Sequence, residues 1–240
     1  GLDVHSIYLW TLPMFHCNGW TYTWGVTAAA GTHVCLRQVD PAAVFPMINK
    51  HGVTHMCGAP VVLNMLVHAP AEQRVAFERT VEVATGGAAP ASRIISAMEK
   101  LGFRVTHLYG LTESYGPATV CAWQSDWNHL DVEARTAMMA RPGVVYHTLQ
   151  ELMVADPQSM EPVPSDGSTM GELTLVRNTV MKCSLKYPTV TAEAFSGDWF
   201  HAGDLAVRHP DGYVEIKDRA KDMISSGGEN VSSFEGEELL

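Results

Sequence analysis

Short apolar runs alternate with longer amphipathic segments over the first half of the chain. The apolar runs are bounded by glycine or proline and predict strands at residues 6–10, 33–36, 52–58, 80–84 and 103–108. The intervening segments predict helices at residues 20–30, 40–51, 60–67 and 91–101. Asp40 and Pro41 have the residue types of an N-cap and a first helical position. This alternation indicates a parallel sheet flanked by helices, the α/β class.

The pattern changes after Trp127. A short helix is predicted at residues 131–140, and short strands at residues 144–154, 171–177 and 180–183. A Pro-, Ser- and Asp-rich loop separates two of these strands, and a hairpin turn is predicted at residues 210–213. We therefore expect an α/β subdomain at residues 1–128, a β-rich, barrel-like subdomain at 129–217, and a hinge to a truncated C-terminal domain at 218–240.

Composition and charge narrow the class of protein. The chain of 240 residues is 46% hydrophobic and 18% charged, which is typical of a globular protein. Its net charge of -10 argues against general nucleic-acid binding, since a phosphate backbone needs a basic surface. No apolar run approaches the roughly 20 residues of a membrane span, and the N-terminus lacks a signal-peptide pattern.

The cysteines are odd in number and widely spaced, at Cys17, Cys35, Cys57, Cys121 and Cys183. None forms a C-x-x-C pair, so we interpret them as reduced, mostly buried thiols of an intracellular protein. A cytoplasmic location is predicted, with a peroxisome or another organelle left open.

The segment at residues 109–117 combines three kinds of chemistry. It follows the strand predicted at 103–108, which is expected to end at a glycine turn. The ring of Tyr109 is suited to stack on a heterocycle, the hydroxyl of Thr112 to bond a phosphate oxygen, and the carboxylate of Glu113 to ligate Mg²⁺. The alternative is an ordinary strand-to-loop turn in which Thr112 caps a helix.

Two further segments have the residue types of a nucleotide site. Gly86 and Gly87 lie between a strand end and a helix start, where ligands bind in parallel sheets, although a tight turn also explains them. Asp204 follows a glycine, and its carboxylate on a tight turn can accept two hydrogen bonds from a diol such as ribose. The charged run at residues 218–222 has a simpler interpretation as a solvated cluster.

Five segments in this order resemble the AMP-forming acyl-CoA synthetases of the adenylate-forming superfamily, especially short- and medium-chain or aromatic acyl-activating enzymes. They are residues 15–20, 85–90, 109–113, 203–205, and 218–222 with 227–230. The resemblance implies a ligase with two half-reactions. A carboxylic (fatty or aromatic) acid first attacks Mg·ATP to give acyl-AMP and pyrophosphate, and the thiol of coenzyme A then displaces AMP.

The resemblance also implies which residues bind the nucleotide base. Tyr109 stacks on adenine in this interpretation, and Gly110 follows it in the same motif. Gly86, Gly87 and Ala88 line the base and the acyl channel.

The remaining roles follow from the same resemblance. Thr112 bonds the α-phosphate and Glu113 holds Mg²⁺, both as part of the catalytic machinery. The carboxylate of Asp204 accepts hydrogen bonds from the ribose hydroxyls, with Arg219 beside them. Lys221 falls on the hinge about which a C-terminal domain rotates.

His16 is predicted near the acyl pocket as a third catalytic residue. It precedes the turn signal Asn18-Gly19, and the alternative is a histidine satisfied within the core. Trp10, Trp20 and Trp24 are predicted as core residues.

Two parts of the family pattern are not found. No Gly- and Ser/Thr-rich phosphate loop ending in lysine precedes residue 15, and the family's catalytic lysine lies beyond the hinge. We therefore expect the chain to be a segment that is incomplete for catalysis. The alternatives are a non-catalytic AMP-binding fragment, or a luciferase-like or peptide-synthetase adenylation enzyme. No G-x-G-x-x-G follows a strand, which disfavours an oxidoreductase. The sequence does not identify the acyl substrate, and it does not decide whether the protein forms a homodimer.

Overall fold

The computed structural model describes residues 1–88, 90–176, 178–221, 224–226 and 229–231. The chain forms two compact units. The first consists of Gly1–Thr112 and Trp123–Ala140, and the second of Glu113–Ala122 and the described part of Arg141–Leu240. The domain boundaries expected from the sequence, at residues 128 and 217, stay predictions.

The first unit is a parallel sheet with helices between its strands. The elements are β1 Ile7–Trp10, α1 Cys17–Ala28, β2 Thr32–Cys35, α2 Pro41–His51, β3 His55–Cys57, α3 Pro60–Val67, β4 Val81–Thr85, α4 Ser92–Lys100, β5 Phe103–Leu111 and α5 Val132–Ala140, with 3₁₀ turns at Ala71–Gln73 and Ser125–His129. The strands lie in the order β2-β1-β3-β4-β5, and each neighbouring pair is parallel. The predicted α/β sheet is confirmed.

Local sequence explains where these elements begin and end. The carboxylate of Asp40 accepts a hydrogen bond from the main-chain N–H of Ala42 at 2.9 Å, which caps α2 as predicted. Gly52 ends that helix at φ 63°, a conformation that glycine adopts without steric cost. Alternate residues of β4 are buried, among them Val81 and Val83, so one face of this strand packs into the core.

The second unit is built from antiparallel strands. Its elements are β6 Gly116–Val120, β7 Val144–Val145, β8 Glu151–Ala155, β9 Gly171–Val176, α6 Pro188–Ala194, the 3₁₀ turn Ser196–Asp198, β10 Phe200–Arg208, β11 Val214–Arg219, β12 Ile224–Ser226 and β13 Glu229–Val231. β6 pairs with β7, β12 pairs with β13, and four strands form a sheet in the order β11-β10-β9-β8. The predicted β-rich part is confirmed.

Several predicted element boundaries are wrong. β5 does not stop at a glycine turn, because its strand continues through Tyr109 and Gly110 to Leu111. Residues 180–183 are not a strand, and there the N–H of Met181 donates to the carbonyl of Glu113 at 2.7 Å. The segment at 144–154 forms two strands separated by a turn, and neither β6 nor α6 was predicted.

The side-chain environments also differ from expectation. Trp10 is buried, whereas Trp20 and Trp24 are exposed and pack against each other edge to face, because they lie four residues apart on the exposed side of α1. Among the cysteines whose side chains the structure describes, Cys57 and Cys121 are buried, whereas Cys35 and Cys183 are exposed. None of the helices in the described ranges is both long enough and apolar enough to cross a membrane.

Candidate functional site

The carboxyl ends of β4 and β5 lie side by side in the first unit. Thr85, the last residue of β4, is the register partner of His107 in β5. A Cβ atom added to Gly86 would lie 2.8 Å from the carbonyl oxygen of Leu108, so the loop after β4 packs directly against the β5 backbone. Gly87 has φ 95° and open space where its Cβ would be. The loop after β4 and the end of β5 therefore lie together at one edge of the sheet.

Tyr109 and Gly110 lie in the last part of β5 and are half-buried. The turn that was expected at these residues follows them instead, at residues 112–115, where Tyr115 has φ 48°. Thr112 lies on this turn and is exposed. No helix begins there, so the interpretation of Thr112 as a helix cap is wrong.

Thr85 and His107 are buried polar residues at this sheet edge that sequence reasoning did not single out. The Nδ1 of His107 lies 2.6 Å from the carbonyl oxygen of Ala140, and burial lowers the pKa of His107 to about 4. His107 is therefore neutral at pH 7 and donates its Nδ1 hydrogen to that carbonyl. The buried hydroxyl of Thr85 has no hydrogen-bond partner among the described residues. The only sign of Thr85 and His107 in the sequence is their position near the ends of predicted strands.

His16 is the N-cap residue of α1, and its carbonyl oxygen accepts a hydrogen bond from the N–H of Trp20 at 2.7 Å. Its side chain is exposed, so the alternative of a core histidine is wrong. The turn predicted at residues 18–19 is the first turn of α1 instead. Gly19 is required there because its Cβ would lie 2.2 Å from the carbonyl oxygen of Pro13.

In the second unit, Asp204 lies within β10 at an irregularity rather than on a tight turn. β10 advances from His201 to Leu205 while its partner in β9 advances only from Thr174 to Glu172, so β10 bulges. Gly203 takes up the distortion at φ 71°. Asp204 is 5% exposed, and its Oδ1 lies 3.5 Å from the Nε of Arg219, its register partner on β11.

Arg219 and Lys221 are exposed, whereas Asp218 is buried and accepts a hydrogen bond from the main-chain N–H of Arg219 at 2.7 Å. The interpretation of Asp218 as part of a solvated charge cluster is therefore wrong. Asp222 and residues 227–228 of the last predicted motif lie outside the described residues. Only the backbone of Glu229 and Asn230 is described, in β13.

Glu113 is half-buried at the start of the second unit. No group of three or more His, Cys, Asp or Glu side chains in the described ranges is arranged to hold a metal ion. Mg²⁺ is commonly held by one or two carboxylates together with substrate phosphates and water. A single, partly accessible carboxylate at Glu113 fits that mode of binding.

Residues 1–185 match the family model described as AMP-binding enzyme, and the chain belongs to this family. The resemblance to acyl-CoA synthetases is confirmed by two curated relatives. An acetate–CoA ligase of Humulus lupulus is 54% identical, and a peroxisomal acetate/butyrate–CoA ligase of Arabidopsis thaliana is 52% identical, each over 241 residues. Both alignments include 100% of this chain and 42% of the relative, so the chain spans less than half the length of these relatives.

A solved structure has the same fold. It is the O-succinylbenzoate coenzyme A synthetase of Bacillus subtilis, in complex with ATP and magnesium ion. Its TM-score is 0.81 at 22% identity, over 100% of this chain and 47% of that one.

Proposed function

We propose that this chain is the nucleotide-binding part of an AMP-forming acid–thiol ligase whose substrate is a short-chain carboxylic acid. An oxygen of the acid attacks the α-phosphorus of ATP, and pyrophosphate leaves. The sulfur of coenzyme A then attacks the acyl carbon, and AMP leaves with that oxygen. Two relatives named for acetate or for acetate and butyrate, at 54% and 52% identity, support the choice of acid.

The observation that carries this proposal is the buried carboxylate of Asp204 in a chain of the AMP-binding family. A carboxylate has two oxygens and can accept about four hydrogen bonds. The guanidinium of Arg219 at 3.5 Å offers one partner. The two hydroxyls of a ribose supply further donors, and this is the role that we propose for Asp204.

The other proposed contacts use groups at the edge of the first unit's sheet and on the turn that follows it. Tyr109 stacks on adenine beside the backbone of Gly86 and Gly87, which carry no side chains to obstruct a flat ring. Thr112 is exposed and donates its hydroxyl to a phosphate oxygen. Ala88 lines the base and acyl channel, and Gly110 binds the nucleotide together with Tyr109. His16 lies near the acyl pocket, and Lys221 lies at the hinge.

Mg²⁺ bound by Glu113 would offset the negative charge of the phosphates as the acid approaches. The chain's own contribution is to hold the carboxylate of Glu113 in place. The hydrogen bond from Met181 to the Glu113 carbonyl fixes the backbone at that position.

The test is acid-dependent exchange of pyrophosphate into ATP by the protein expressed from its full reading frame. Acetate and butyrate should support exchange better than cinnamate. Asp204→Asn should raise the KM for ATP at least about tenfold, the loss expected for a charge-assisted hydrogen bond. Asp156→Asn, in an exposed loop of the same unit, is the control and should change it little. Binding of AMP without exchange for any acid would support a non-catalytic binder instead.

The cellular location and the oligomeric state are also proposals. A cytoplasmic location is supported by the exposed free thiols of Cys35 and Cys183, which fit a reducing compartment. The peroxisomal relative supports a peroxisome as the second candidate. A fluorescent fusion distinguishes the two locations, and light scattering tests for a homodimer.

A further inference from the structure

We propose that His201 and Glu172 act together as positioning residues that hold the Asp204 carboxylate in place for the ribose. This inference rests on the proposed function, because it takes Asp204 as the residue that recognises the ribose hydroxyls. Neither His201 nor Glu172 belongs to the set that the sequence predicted.

The two side chains form a continuous path to the backbone beside Asp204. One carboxylate oxygen of Glu172 lies 2.7 Å from the Nδ1 of His201, and the other accepts a hydrogen bond from the N–H of Gly203 at 3.2 Å. The Nε2 of His201 lies 3.1 Å from the carbonyl oxygen of Ser196. Glu172 therefore connects the ring of His201, which is fixed by the carbonyl of Ser196, to Gly203, the residue directly before Asp204.

Gly203 is held from both sides. Its N–H donates to Glu172, and its carbonyl oxygen accepts a hydrogen bond from the N–H of Ala220 at 3.0 Å. The bulge removes Gly203 from the regular ladder between β10 and β9, so its N–H needs a side-chain acceptor. Glu172 supplies that acceptor, and the direction of the following Asp204 depends on it.

His201 restrains Glu172 rather than touching Asp204. Its ring nitrogens both face acceptors, a carboxylate and a main-chain carbonyl. The ring is therefore fixed between the carboxylate of Glu172 and the main chain of Ser196. His201 and Glu172 are each 15% exposed at the side chain, so water competes weakly for this pair.

The experiment compares the binding of AMP and of 2′,3′-dideoxy-AMP to the protein expressed from its full reading frame. The ratio of the two Kd values measures recognition of the ribose hydroxyls and is insensitive to a uniform loss of folded protein. In the unaltered protein we expect AMP to bind at least about tenfold more tightly. Glu172→Ala and His201→Phe should bring that ratio close to one.

Two further variants separate positioning from general damage. Glu172→Gln keeps an oxygen that accepts from Gly203 and has an amide group that can hydrogen-bond the His201 ring, so it should retain most of the ratio. His209→Phe breaks a similar pair at the hairpin between β10 and β11, in which the Nε2 of His209 lies 2.8 Å from a carboxylate oxygen of Glu215. It should leave the ratio unchanged.

The possible failures differ from one another. If the unaltered protein shows no preference for AMP over the dideoxy compound, the proposed ribose site fails, and this inference fails with it. If the unaltered protein prefers AMP but Glu172→Ala and His201→Phe keep that preference, the positioning role alone is refuted. A ratio of Kd values close to one in His209→Phe as well would show that destabilising the sheet is enough to abolish the preference for AMP. That result also overturns the proposal.

Discussion

The substitution Gly86→Ala tests whether the loop after β4 must lie directly against the backbone of β5. The added Cβ would be 2.8 Å from the carbonyl oxygen of Leu108, where ordinary contacts begin at 3.4 Å. The loop must therefore move by about 0.6 Å, and the neighbour that resists is backbone rather than a flexible side chain. The expected effects are a less stable protein and weaker AMP binding.

The magnitude follows from the cost of overpacking. Inserting a methyl group into a close-packed site costs about 1–3 kcal/mol. For a chain of 240 residues, 1 kcal/mol lowers Tm by about 2–4 °C, so a cost of about 2 kcal/mol corresponds to about 4–8 °C. Thermal unfolding followed by circular dichroism measures this change, and a titration with AMP measures the accompanying rise in Kd.

Gly25→Ala is the matched control because it should raise the free energy of unfolding, whereas Gly86→Ala should lower it. Gly25 lies inside α1, and its Cβ would meet only the Cδ1 of Leu2 at 3.6 Å, an ordinary contact. Alanine in a helix interior is more stable than glycine by about 0.5–1 kcal/mol. An unchanged Tm and an unchanged AMP affinity in Gly86→Ala, with the expected rise in Gly25→Ala, would refute the close approach of the loop to β5.

Three other outcomes are expected. Glu113→Gln should lower the rate of Mg²⁺-dependent adenylation at least about tenfold. The control Glu193→Gln, on the exposed face of α6, should not lower it. Equal adenylation rates in Glu113→Gln and in the unaltered protein would refute the metal role. Burial lowers the pKa of His107 to about 4 from 6.5, so the unfolded state binds more protons between these pH values. Unfolding free energy should therefore fall by up to about 3 kcal/mol from pH 7 to pH 4, a decrease that denaturant titrations of His107→Gln should not show. Burial raises the pKa of the Cys121 thiol to about 12. N-ethylmaleimide at pH 8 should therefore modify the exposed Cys35 before Cys121, and mass spectrometry measures the order of modification. Modification of Cys121 before Cys35 would contradict the burial of Cys121.

The parallel sheet was predictable because its strands and helices have strong local signals. Asp40 caps α2 through its carboxylate, and Gly52 ends that helix at φ 63°, as their residue types indicate. The boundaries failed at glycines that resemble turn residues in sequence. Gly19 lies in the first turn of α1, where a Cβ would meet the carbonyl oxygen of Pro13, and Gly110 continues the strand β5.

The candidate site was only partly predictable. Asp204 carries a recognisable signal because it follows a glycine in a segment that resembles a known motif. Glu172 lies about thirty residues earlier and gives no local sign of its contact with Gly203, which depends on the bulge in β10. The burial of Asp218 likewise depends on the packing of the sheet, which a charged run in the sequence does not reveal.

The most direct test of the proposed reaction follows the oxygen atoms of the acid. Protein from the full reading frame is incubated with ¹⁸O-labelled butyrate, ATP, Mg²⁺ and coenzyme A, and the products are analysed by mass spectrometry. Formation of acyl-AMP followed by attack of the thiol predicts one ¹⁸O atom in AMP and none in pyrophosphate. Unlabelled AMP, or label in inorganic phosphate beside ADP, would contradict the adenylate route.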